Sequence, residues 1–546
     1  MSTDEPDADG ASHDPRSEGS DPTMDDIDLA EPFLLGWLAS VGLDAHYVRA
    51  EGDYLYRRDE HGQEIPVVDF AGGYGSLMLG HNHPAIVALA KQMLEGGAPV
   101  HAQFSRHPYA KDLAAALNDI VRRETGNDET YSAVFASTGA EAVEVAVKHA
   151  ELDRVMKLTE LRAEISANVE AVRAEVAAGR ATVSPETSLV IGVDTADIEA
   201  VVRRIDEVNA ARAGAAPLIF ALEGGFHGKL MGSGKLTHNA AYREPFAALA
   251  TTAKFIAQAD IPALPKIFDE ERVDLLDLVV MGGEVGVITR PLPVFCAFVL
   301  EPVQGEGGIR SLDVRSAAQI QAACAQVDCP IVVDEVQSGM GRTGTFLASS
   351  AIGLRGDYYA LAKSLGGGIA KASVMLARSS RYRREFELVH SSTFAKDVFS
   401  TTIALKVLEL LEADDGALYR RAAERGARLL ERLRAVREDF PDVVADVRGR
   451  GLMVGLEFRD ASDSASPQLR DHARGSTLGY AIAGRLLAKH RVRTFPTASS
   501  PNTLRFEPSV AIGDQEIAQL ETGLRAVCEL LRAQDGAGLL DHVAAV

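Results

Sequence analysis

The chain has 546 residues, of which 46% are hydrophobic and 25% are charged. The length allows two to four domains, and the composition is ordinary for a soluble globular protein. Its 78 acidic and 56 basic side chains give a net charge of −22. Nucleic-acid binding needs basic patches that neutralise phosphates, so this charge argues against a nucleic acid as partner.

Residues 1–28 are acidic and polar, with neither a basic start nor an apolar run. They predict a disordered tail rather than a signal peptide. The chain contains no stretch of about 18 apolar residues, so no membrane span is expected. The cysteines, at positions 296, 324, 329 and 528, have no metal-binding spacing, which favours buried thiols in a reducing compartment. We therefore expect a soluble, cytoplasmic protein.

Strand–turn–helix units follow the tail. "IPVVDFAGGYGS" predicts a strand and a glycine-rich turn before a helix, and "YSAVFASTGAEAVEVAVKHA" repeats that order with a turn of small residues. This alternation predicts an α/β layered domain. We assign residues 29–100 to an N-terminal segment and residues 101–395 to a large α/β domain.

Residues 151–216 differ from the units around them. "LTELRAEISANVEAVRAEVAAG" and "TADIEAVVRRIDEVNAARAG" have apolar residues at helical spacing, which predicts an inserted, mostly helical subdomain. Two interpretations stay open for this insertion. It is either a surface elaboration without chemistry, or it contributes to oligomer contacts or to the shape of the substrate entrance.

Three later runs, "APLIFALEGG", "VFCAFVLEPV" and "PIVVDEVQSG", are apolar without alternation, as in strands covered by helices on both faces. Each run ends in polar residues, and binding sites of open α/β sheets lie at the carboxyl ends of the strands. The sequence therefore predicts one crevice. The residues expected there are Glu223, Phe226, His227, Glu301, Gln304, Asp334 and Gln337.

The last part of the chain begins with helical patterns, "STTIALKVLELLEAD" and "ALYRRAAERGARLLERLRAV". "VADVRGRGLMVGLEF" then predicts a pair of strands around a turn, and "NTLRFEPSVAI" predicts a further strand. Helices followed by short strands indicate a smaller α+β domain, which we assign to residues 396–546.

Lys363 lies in "ALAKSLGGGIA", just ahead of three glycines. A nucleotide-phosphate loop has its lysine after the glycines, so that interpretation fails. A Schiff-base lysine fits better, since it needs a desolvated pocket and an electrophilic partner. If the partner is pyridoxal phosphate (PLP), an acid must face the pyridinium nitrogen. Asp334, at the end of "CPIVVDEV", is the candidate acid.

The phosphate and the ring of such a cofactor need partners of their own. The small residues of "STGAE" open a helix whose N–H groups could hold a phosphate, although an ordinary capped helix has the same pattern. Phe226 or His227, in "GGFHGK", could stack on a flat ring. His81 and His83 have no acidic or thiol partner nearby in the sequence, so no metal site is expected.

These segments, in this order, resemble the PLP-dependent class III aminotransferases, the group of the ornithine, acetylornithine and 4-aminobutyrate aminotransferases. The similar segments span roughly residues 65–512, and "DEVQSGMGRTG" followed by "LAKSLGGG" is highly specific. The resemblance implies a fold-type I PLP-dependent transferase, with a mostly parallel sheet in the large domain and a smaller α+β C-terminal domain. It also implies a homodimer with shared active sites, in which residues 29–100 pack on the small domain and on the partner.

The resemblance further implies how the cofactor ring is held. Lys363 would form the covalent bond and later move a proton as general base and acid, while Asp334 would pair with the pyridine nitrogen. Val336 and Phe226 would pack on the two faces of the ring. Gln337 would contact the oxygen of its 3-hydroxyl group.

The remaining cofactor contacts are implied in the same way. Gly139 and Ala140 would give N–H groups to the phosphate, and Thr393, in "SSTFA", would reach the phosphate of the neighbouring subunit's cofactor. His227 and Glu301 match positions near the cofactor in the family pattern.

Two residues concern the substrate. Arg505 matches the arginine that binds a substrate α-carboxylate, and Glu306 matches a glutamate that pairs with this arginine when the second substrate lacks that group. A plain structural ion pair is the alternative. The chain departs from the family where "AKDV" replaces Gly-Gly-Asn-Pro after "STF", and where "EPSV" stands in place of Pro-Pro-Leu.

The implied function is transfer of an amino group from an amino-acid donor, glutamate by the match of Arg505 and Glu306, to a keto or aldehyde acceptor. One alternative is another PLP reaction on the same fold, namely that of a decarboxylase, an epimerase or an aminomutase. A non-catalytic binding or scaffold protein is the alternative from a different class. Retention of both Lys363 and Asp334 argues against it.

Overall fold

Three antiparallel strands and three helices begin the described part of the chain. The computed structural model describes residues 31–59, 61–101, 105–106, 108–193 and 196–543, so the tail predicted at residues 1–28 lies outside the described residues. The first elements are α1 (Pro32–Ser40), β1 (Tyr47–Glu51), β2 (Tyr54–Arg58), β3 (Glu64–Asp69), α2 (Gly72–Gly75) and α3 (Pro84–Glu95).

Helices and strands alternate through the next 280 or so residues, which is the pattern of a doubly covered sheet. These elements are α4 (Pro108–Thr125), β4 (Tyr131–Ala136), α5 (Gly139–Ala177), β5 (Thr182–Val183), α6 (Pro185–Ile191), α7 (Ile198–Ala213), β6 (Leu218–Leu222), α8 (Met231–Leu236), α9 (Ala240–Arg243), β7 (Lys254–Ile256), α10 (Leu264–Glu271), β8 (Asp274–Met281), β9 (Glu284–Pro291), β10 (Phe295–Leu300), β11 (Val303–Gln304), β12 (Arg310–Ser311), α11 (Val314–Gln326), β13 (Ile331–Asp334), β14 (Tyr358–Leu361), β15 (Ser373–Arg378) and α12 (Phe386–Val389).

A seven-stranded sheet in the order β4-β15-β14-β13-β10-β6-β7 forms the centre of this region. All strands run parallel except β15, which pairs antiparallel with both of its neighbours. Every residue of β10, β13 and β14 is buried, because helices cover both faces of the sheet. The mostly parallel sheet predicted from the unalternated apolar runs is confirmed.

The helices predicted for residues 151–216 pack with strands that the sequence did not predict, two of which lie further along the chain. Helix α5 continues without a break for 39 residues, from the turn of small residues deep into the insertion. Strands β8 and β9 form an antiparallel hairpin, and β5 pairs parallel with β9. The buried Asp277 of β8 accepts hydrogen bonds from Asn168 of α5 (2.8 Å) and from Arg290 of β9 (3.1 Å). The hairpin therefore belongs to the same packed unit as α5.

The C-terminal region is a smaller α+β unit. Its elements are α13 (Val398–Asp439), β16 (Val444–Arg450), β17 (Met453–Phe458), α14 (Pro467–Arg474), α15 (Leu478–His490), β18 (Val492–Arg493), β19 (Phe495–Thr497), β20 (Ser500–Phe506), α16 (Asp514–Arg532) and α17 (Gly536–Leu539). Strands β16, β17, β20 and β19 form an antiparallel sheet. Residues 413–416 have non-helical backbone angles, so α13 consists of the two predicted helices joined at a kink.

The N-terminal strands join this C-terminal unit, because β3 pairs parallel with β18. That pairing supports the predicted packing of residues 29–100 on the small domain, while the boundaries at residues 101, 396 and 546 stay predictions. None of the helices in the described ranges has the length and apolar content that crossing a bilayer requires.

The contact between Gly426 of α13 and Gly451 gives a test of this packing. A Cβ atom at position 426 would lie 2.0 Å from the carbonyl oxygen of Gly451. Gly426→Ala should therefore lower the free energy of unfolding by about 1–3 kcal/mol, as overpacked sites do. Urea unfolding followed by circular dichroism measures the difference.

The matched control is Gly36→Ala in α1, where no heavy atom lies within 4 Å of the added Cβ. Alanine is the better helix former, so this variant should be neutral or slightly more stable. Equal stability of the two variants would contradict the close approach of α13 to Gly451.

Candidate active site

The carboxyl ends of four neighbouring strands bring the predicted residues together. Asp334 ends β13, Lys363 follows β14, Glu301 follows β10, and His227 lies five residues beyond the end of β6. Parallel strands place such residues at one edge of the sheet. The predicted crevice is therefore present.

Lys363 lies half-buried directly after β14, where the chain turns into a short 3-10 helix. Its φ angle is 47°, in the left-handed region that few residues other than glycine adopt, and such conformations concentrate at functional sites. Burial lowers the pKa of Lys363, and the negative charges of Glu507 and Glu306 oppose this shift. A lysine with a lowered pKa is a better nucleophile near neutral pH.

The glycines after Lys363 serve close backbone packing. A Cβ at Gly367 would lie 2.7 Å from Ile86 of α3, and a Cβ at Gly368 would lie 2.6 Å from Leu77. Both glycines also have left-handed φ angles. The backbone beside the lysine is thereby held against helix α3 and the loop that follows α2.

Asp334 forms a buried pair with His227. Its Oδ2 lies 2.7 Å from Nδ1 of His227, and its Oδ1 accepts a hydrogen bond from the Val336 N–H (3.0 Å). Burial acts to lower the pKa of His227, but the hydrogen bond and charge of Asp334 outweigh it, and the pKa is raised. The carboxylate of Asp334 is therefore held in position by the buried imidazole of His227.

Glu301 lies next to this pair. Its Oε1 accepts from the Phe226 N–H (2.8 Å) and its Oε2 from the Gly305 N–H (3.1 Å). Burial raises the pKa of Glu301 to about 7. The two accepted hydrogen bonds of Glu301 fix the loop that carries Phe226.

The start of α5 forms a cradle of N–H groups. Thr138 caps the helix, and Oε2 of Glu141 accepts from the N–H groups of Ser137 and Thr138 (2.8 Å each). The N–H groups of Gly139 and Ala140 lie in the first helical turn, where no intrahelical acceptor exists. The predicted donors are therefore available to an anion.

Val336 closes one side of this cradle. A Cβ at Gly139 would lie 2.5 Å from a methyl group of Val336, so a larger residue at position 139 would displace it. The sequence pattern "STGAE" is thus tied to a close contact with the loop after β13.

Arg505 and Glu306 form a buried ion pair beside this crevice. Arg505 of β20 donates to Oε1 of Glu306, whose Oε2 accepts from the Ala498 N–H (2.8 Å). The guanidinium lies 4.5 Å from the ring centre of Tyr74, and its Nε is buried without a hydrogen-bond partner. The predicted pairing is present, and the arginine keeps an unused donor.

A cavity of about 580 Å³ opens in front of this ion pair. Its lining includes helix α1, loops of the large domain and the edge of the small domain. The aromatic residues among its walls are Trp37, Tyr47, Tyr74, Phe226, Tyr242, Tyr480 and Phe495, and the basic ones besides Arg505 are Lys229 and Arg493.

Two predicted residues have surroundings that the sequence did not indicate. Nε2 of Gln337 donates to both carboxylate oxygens of Glu507 (2.9 and 3.0 Å), a residue absent from the predicted set. Thr393 lies on an exposed turn, and the neighbouring Phe394 is 69% exposed.

Sequence reasoning missed Glu507, Tyr74 and Tyr242. The signal for Glu507 was the departure "EPSV", which places a carboxylate directly after a buried strand. Tyr74 and Tyr242 lie in loops, and only their positions in the folded chain show that they line the cavity.

Residues 39–527 match the family model described as aminotransferase class III. The chain belongs to the class III aminotransferase family. Putrescine aminotransferase from Pectobacterium atrosepticum is 26% identical over 481 residues, which cover 88% of this chain and 81% of that protein.

Solved structures show the same fold. The ornithine aminotransferase from Toxoplasma gondii is 20% identical, with a TM-score of 0.62 and coverage of 90% of this chain and 92% of that one. An amine transaminase from an uncultivated Pseudomonas species, solved in its PLP-bound form, is 20% identical, with a TM-score of 0.63 and coverage of 97% and 99%. The predicted fold type I is confirmed.

Family membership makes the protein a PLP-dependent aminotransferase. Its residues fit this cofactor. The crevice has a half-buried lysine and a buried carboxylate held by His227. It also has a helix start at Gly139, where a larger side chain would collide with Val336.

A covalent label tests the placement of Lys363. Borohydride reduction of the PLP-loaded enzyme should attach the cofactor to Lys363, and Lys363→Ala should abolish this attachment and lower kcat by several orders of magnitude, because the nucleophile is lost. Peptide mass spectrometry locates the label.

Lys371→Ala removes an exposed lysine a few residues away and should label like the wild type. A label that persists in Lys363→Ala, or that falls on another lysine in the wild type, would contradict the assignment.

Proposed function

We propose that the protein transfers an amino group from glutamate to an aldehyde or ketone that has no carboxylate on the reacting carbon. The observation that carries this proposal is the buried pair of Arg505 and Glu306 beside the crevice of Lys363. The cofactor supplies the electron sink that accepts the electron pair released at the substrate carbon.

The residues around the crevice would hold the cofactor as follows. Asp334, fixed by His227, would face the pyridine nitrogen and keep it protonated. Val336 and Phe226 would cover the two ring faces. Gln337 would reach the 3-hydroxyl oxygen, with Glu301 holding the Phe226 loop. The phosphate would meet the N–H groups of Gly139 and Ala140, and Thr393 of the partner subunit.

Lys363 would do the proton transfer. Its burial favours the neutral amine, which takes the proton from the substrate carbon and returns it to the neighbouring carbon. The left-handed turn at Lys363 and the packed glycines that follow fix the backbone from which this side chain extends.

Arg505 would bind the α-carboxylate of glutamate. An arginine and a carboxylate form two parallel hydrogen bonds, and the buried Nε of Arg505, which has no partner, offers one of the donors. Glu306 must then turn away from Arg505. When the second substrate brings no carboxylate, Glu306 returns and spares the protein an unpaired buried cation, which is strongly unfavourable.

The walls of the cavity favour an acceptor with an apolar body. Trp37 packs edge-on against Tyr480 with ring centres 4.7 Å apart, and Tyr74 stacks on Phe495 at 5.7 Å. Aromatic surfaces of this kind bind apolar groups. The similarity to a putrescine aminotransferase and to amine transaminases agrees with an amine–aldehyde pair as the second substrate couple.

We also propose that the protein is a cytoplasmic homodimer. The exposed turn at Thr393 with Phe394, and the 90% exposed Leu388, provide surface for a partner that completes the phosphate site. The four cysteines are free and buried, which suits a reducing compartment.

Separate half-reactions test the role of the ion pair. Arg505→Gln should raise the KM for glutamate about 30-fold or more, since loss of one partner of a buried charge pair costs at least about 2 kcal/mol. The same variant should change the half-reaction with a simple primary amine much less. Stopped-flow absorbance of the bound cofactor measures each half-reaction.

Glu306→Gln should slow the amine half-reaction, because Arg505 then keeps an unpaired charge. It should leave the glutamate half-reaction nearly unchanged. Arg384→Gln, whose side chain is 91% exposed, is the surface control and should change neither. Equal losses in both half-reactions for Arg505→Gln would contradict the proposal.

A further inference from the structure

Glu507 is a fully buried carboxylate with an unusual lack of partners. It follows β20 and has no exposed surface. Among the described residues, its side chain receives hydrogen bonds only from the amide of Gln337. Burial of a carboxylate with one neutral partner is costly, and proteins accept such costs mainly at functional sites.

Three carboxylates raise the pKa of Lys363, and Glu507 differs from the other two in its surroundings. These are Glu507, Glu306 and Asp334, and Arg505 is the opposing cation. Glu306 is bonded to Arg505 and Asp334 to His227, so much of their negative charge is neutralised at short range. Glu507 makes no ion pair with a described basic residue. It packs against Gly75, whose carbonyl oxygen accepts a hydrogen bond (2.8 Å) from Ser364, the residue after Lys363.

The groups packed around Glu507 hold its carboxylate in place. Its charge also acts on Arg505 and on Arg342, whose Nε is buried without a partner. A Cβ at Gly75 would lie 3.4 Å from Oε1 of Glu507 and 3.5 Å from Nε of Arg342. The glycine-rich turn of α2 therefore closes directly over the carboxylate and the guanidinium.

Both polar atoms of the Gln337 amide have fixed neighbours. Its Nε2 must face Glu507, because a carboxylate accepts hydrogen bonds and does not donate them. Its Oε1 then points to Gly305, where a Cβ would lie only 1.9 Å away. The amide has one orientation, and Glu507 selects it.

We propose that Glu507 is a positioning residue that orients the amide of Gln337 and contributes a negative charge to the surroundings of Lys363. The proposal rests on the function proposed above, in which Lys363 binds the cofactor and Gln337 contacts its 3-hydroxyl oxygen. The charge of Glu507 favours the protonated form of the lysine nitrogen, both as the free amine and when joined to the cofactor, and so opposes the effect of burial.

The pH dependence of the visible absorbance of bound PLP tests this role. Glu507→Gln keeps the size and the hydrogen-bonding shape but removes the charge. It should move the titration midpoint to lower pH by about one pH unit, a tenfold loss of proton affinity, because a nearby negative charge favours the protonated form of the nitrogen.

Asp277→Asn is the matched control, because Asp277 is also a fully buried carboxylate but lies in β8, away from the crevice, bonded to Asn168 and Arg290. Its midpoint should equal that of the wild type. Glu507→Asp keeps the charge and withdraws it from Gln337. The midpoint of Glu507→Asp should lie nearer to the wild-type value, while PLP dissociates faster. This variant tests the role of the charge if Glu507→Gln fails to fold.

An unchanged or higher midpoint in Glu507→Gln would overturn the proposal, as would a shift of the same size in Asp277→Asn or a full-size shift in Glu507→Asp. A wild-type enzyme in which borohydride does not attach PLP to Lys363 would instead contradict the assignment of Lys363. The two failures are therefore distinguishable.

Discussion

The neutralisation of buried charges at the carboxyl edge of the seven-stranded sheet is the constraint on which the rest of the structure depends. Lys363, Arg505, Asp334 and Glu306 are buried or half-buried within one small region, where an unpaired charge would cost several kcal/mol. Asp334 and Lys363 come from the ends of β13 and β14, whereas Glu306 lies in the loop after β11 and Arg505 lies in β20. Only the complete sheet and the docked C-terminal domain therefore bring these charges together. The site therefore forms only when the whole fold is complete.

The sequence predicted the features that depend on local pattern. Unalternated apolar runs marked the central strands, and chain order with Lys363 and Asp334 marked the site. Features that depend on long-range pairing were missed. A Gly-Gly turn at residues 282–283, with left-handed φ angles, joins the strands of the hairpin β8–β9 and is a recognisable signal. The place of the hairpin beside α5 is set by tertiary contacts. The Gln337–Glu507 contact joins residues 170 positions apart, which a single sequence does not reveal.

Helix α5 connects the site to the insertion. It begins at Gly139, beside Val336 and the anion cradle, and runs for 39 residues to Ala177, a length of about 58 Å. The sequence suggested two separate units here, because the amphipathic pattern changes near residue 151. The structure shows one continuous helix whose first turn belongs to the site and whose last turns pack on β8, so the insertion extends an element of the catalytic domain.

The proposed function stands or falls most directly on a single half-reaction. Glutamate added to the PLP-loaded enzyme in the absence of any acceptor should remove the visible absorbance of the bound cofactor and release one equivalent of 2-oxoglutarate per active site. Absorbance that persists with glutamate and with every other amino donor would contradict transamination at this site. Loss of absorbance with release of carbon dioxide instead of 2-oxoglutarate would contradict it as well.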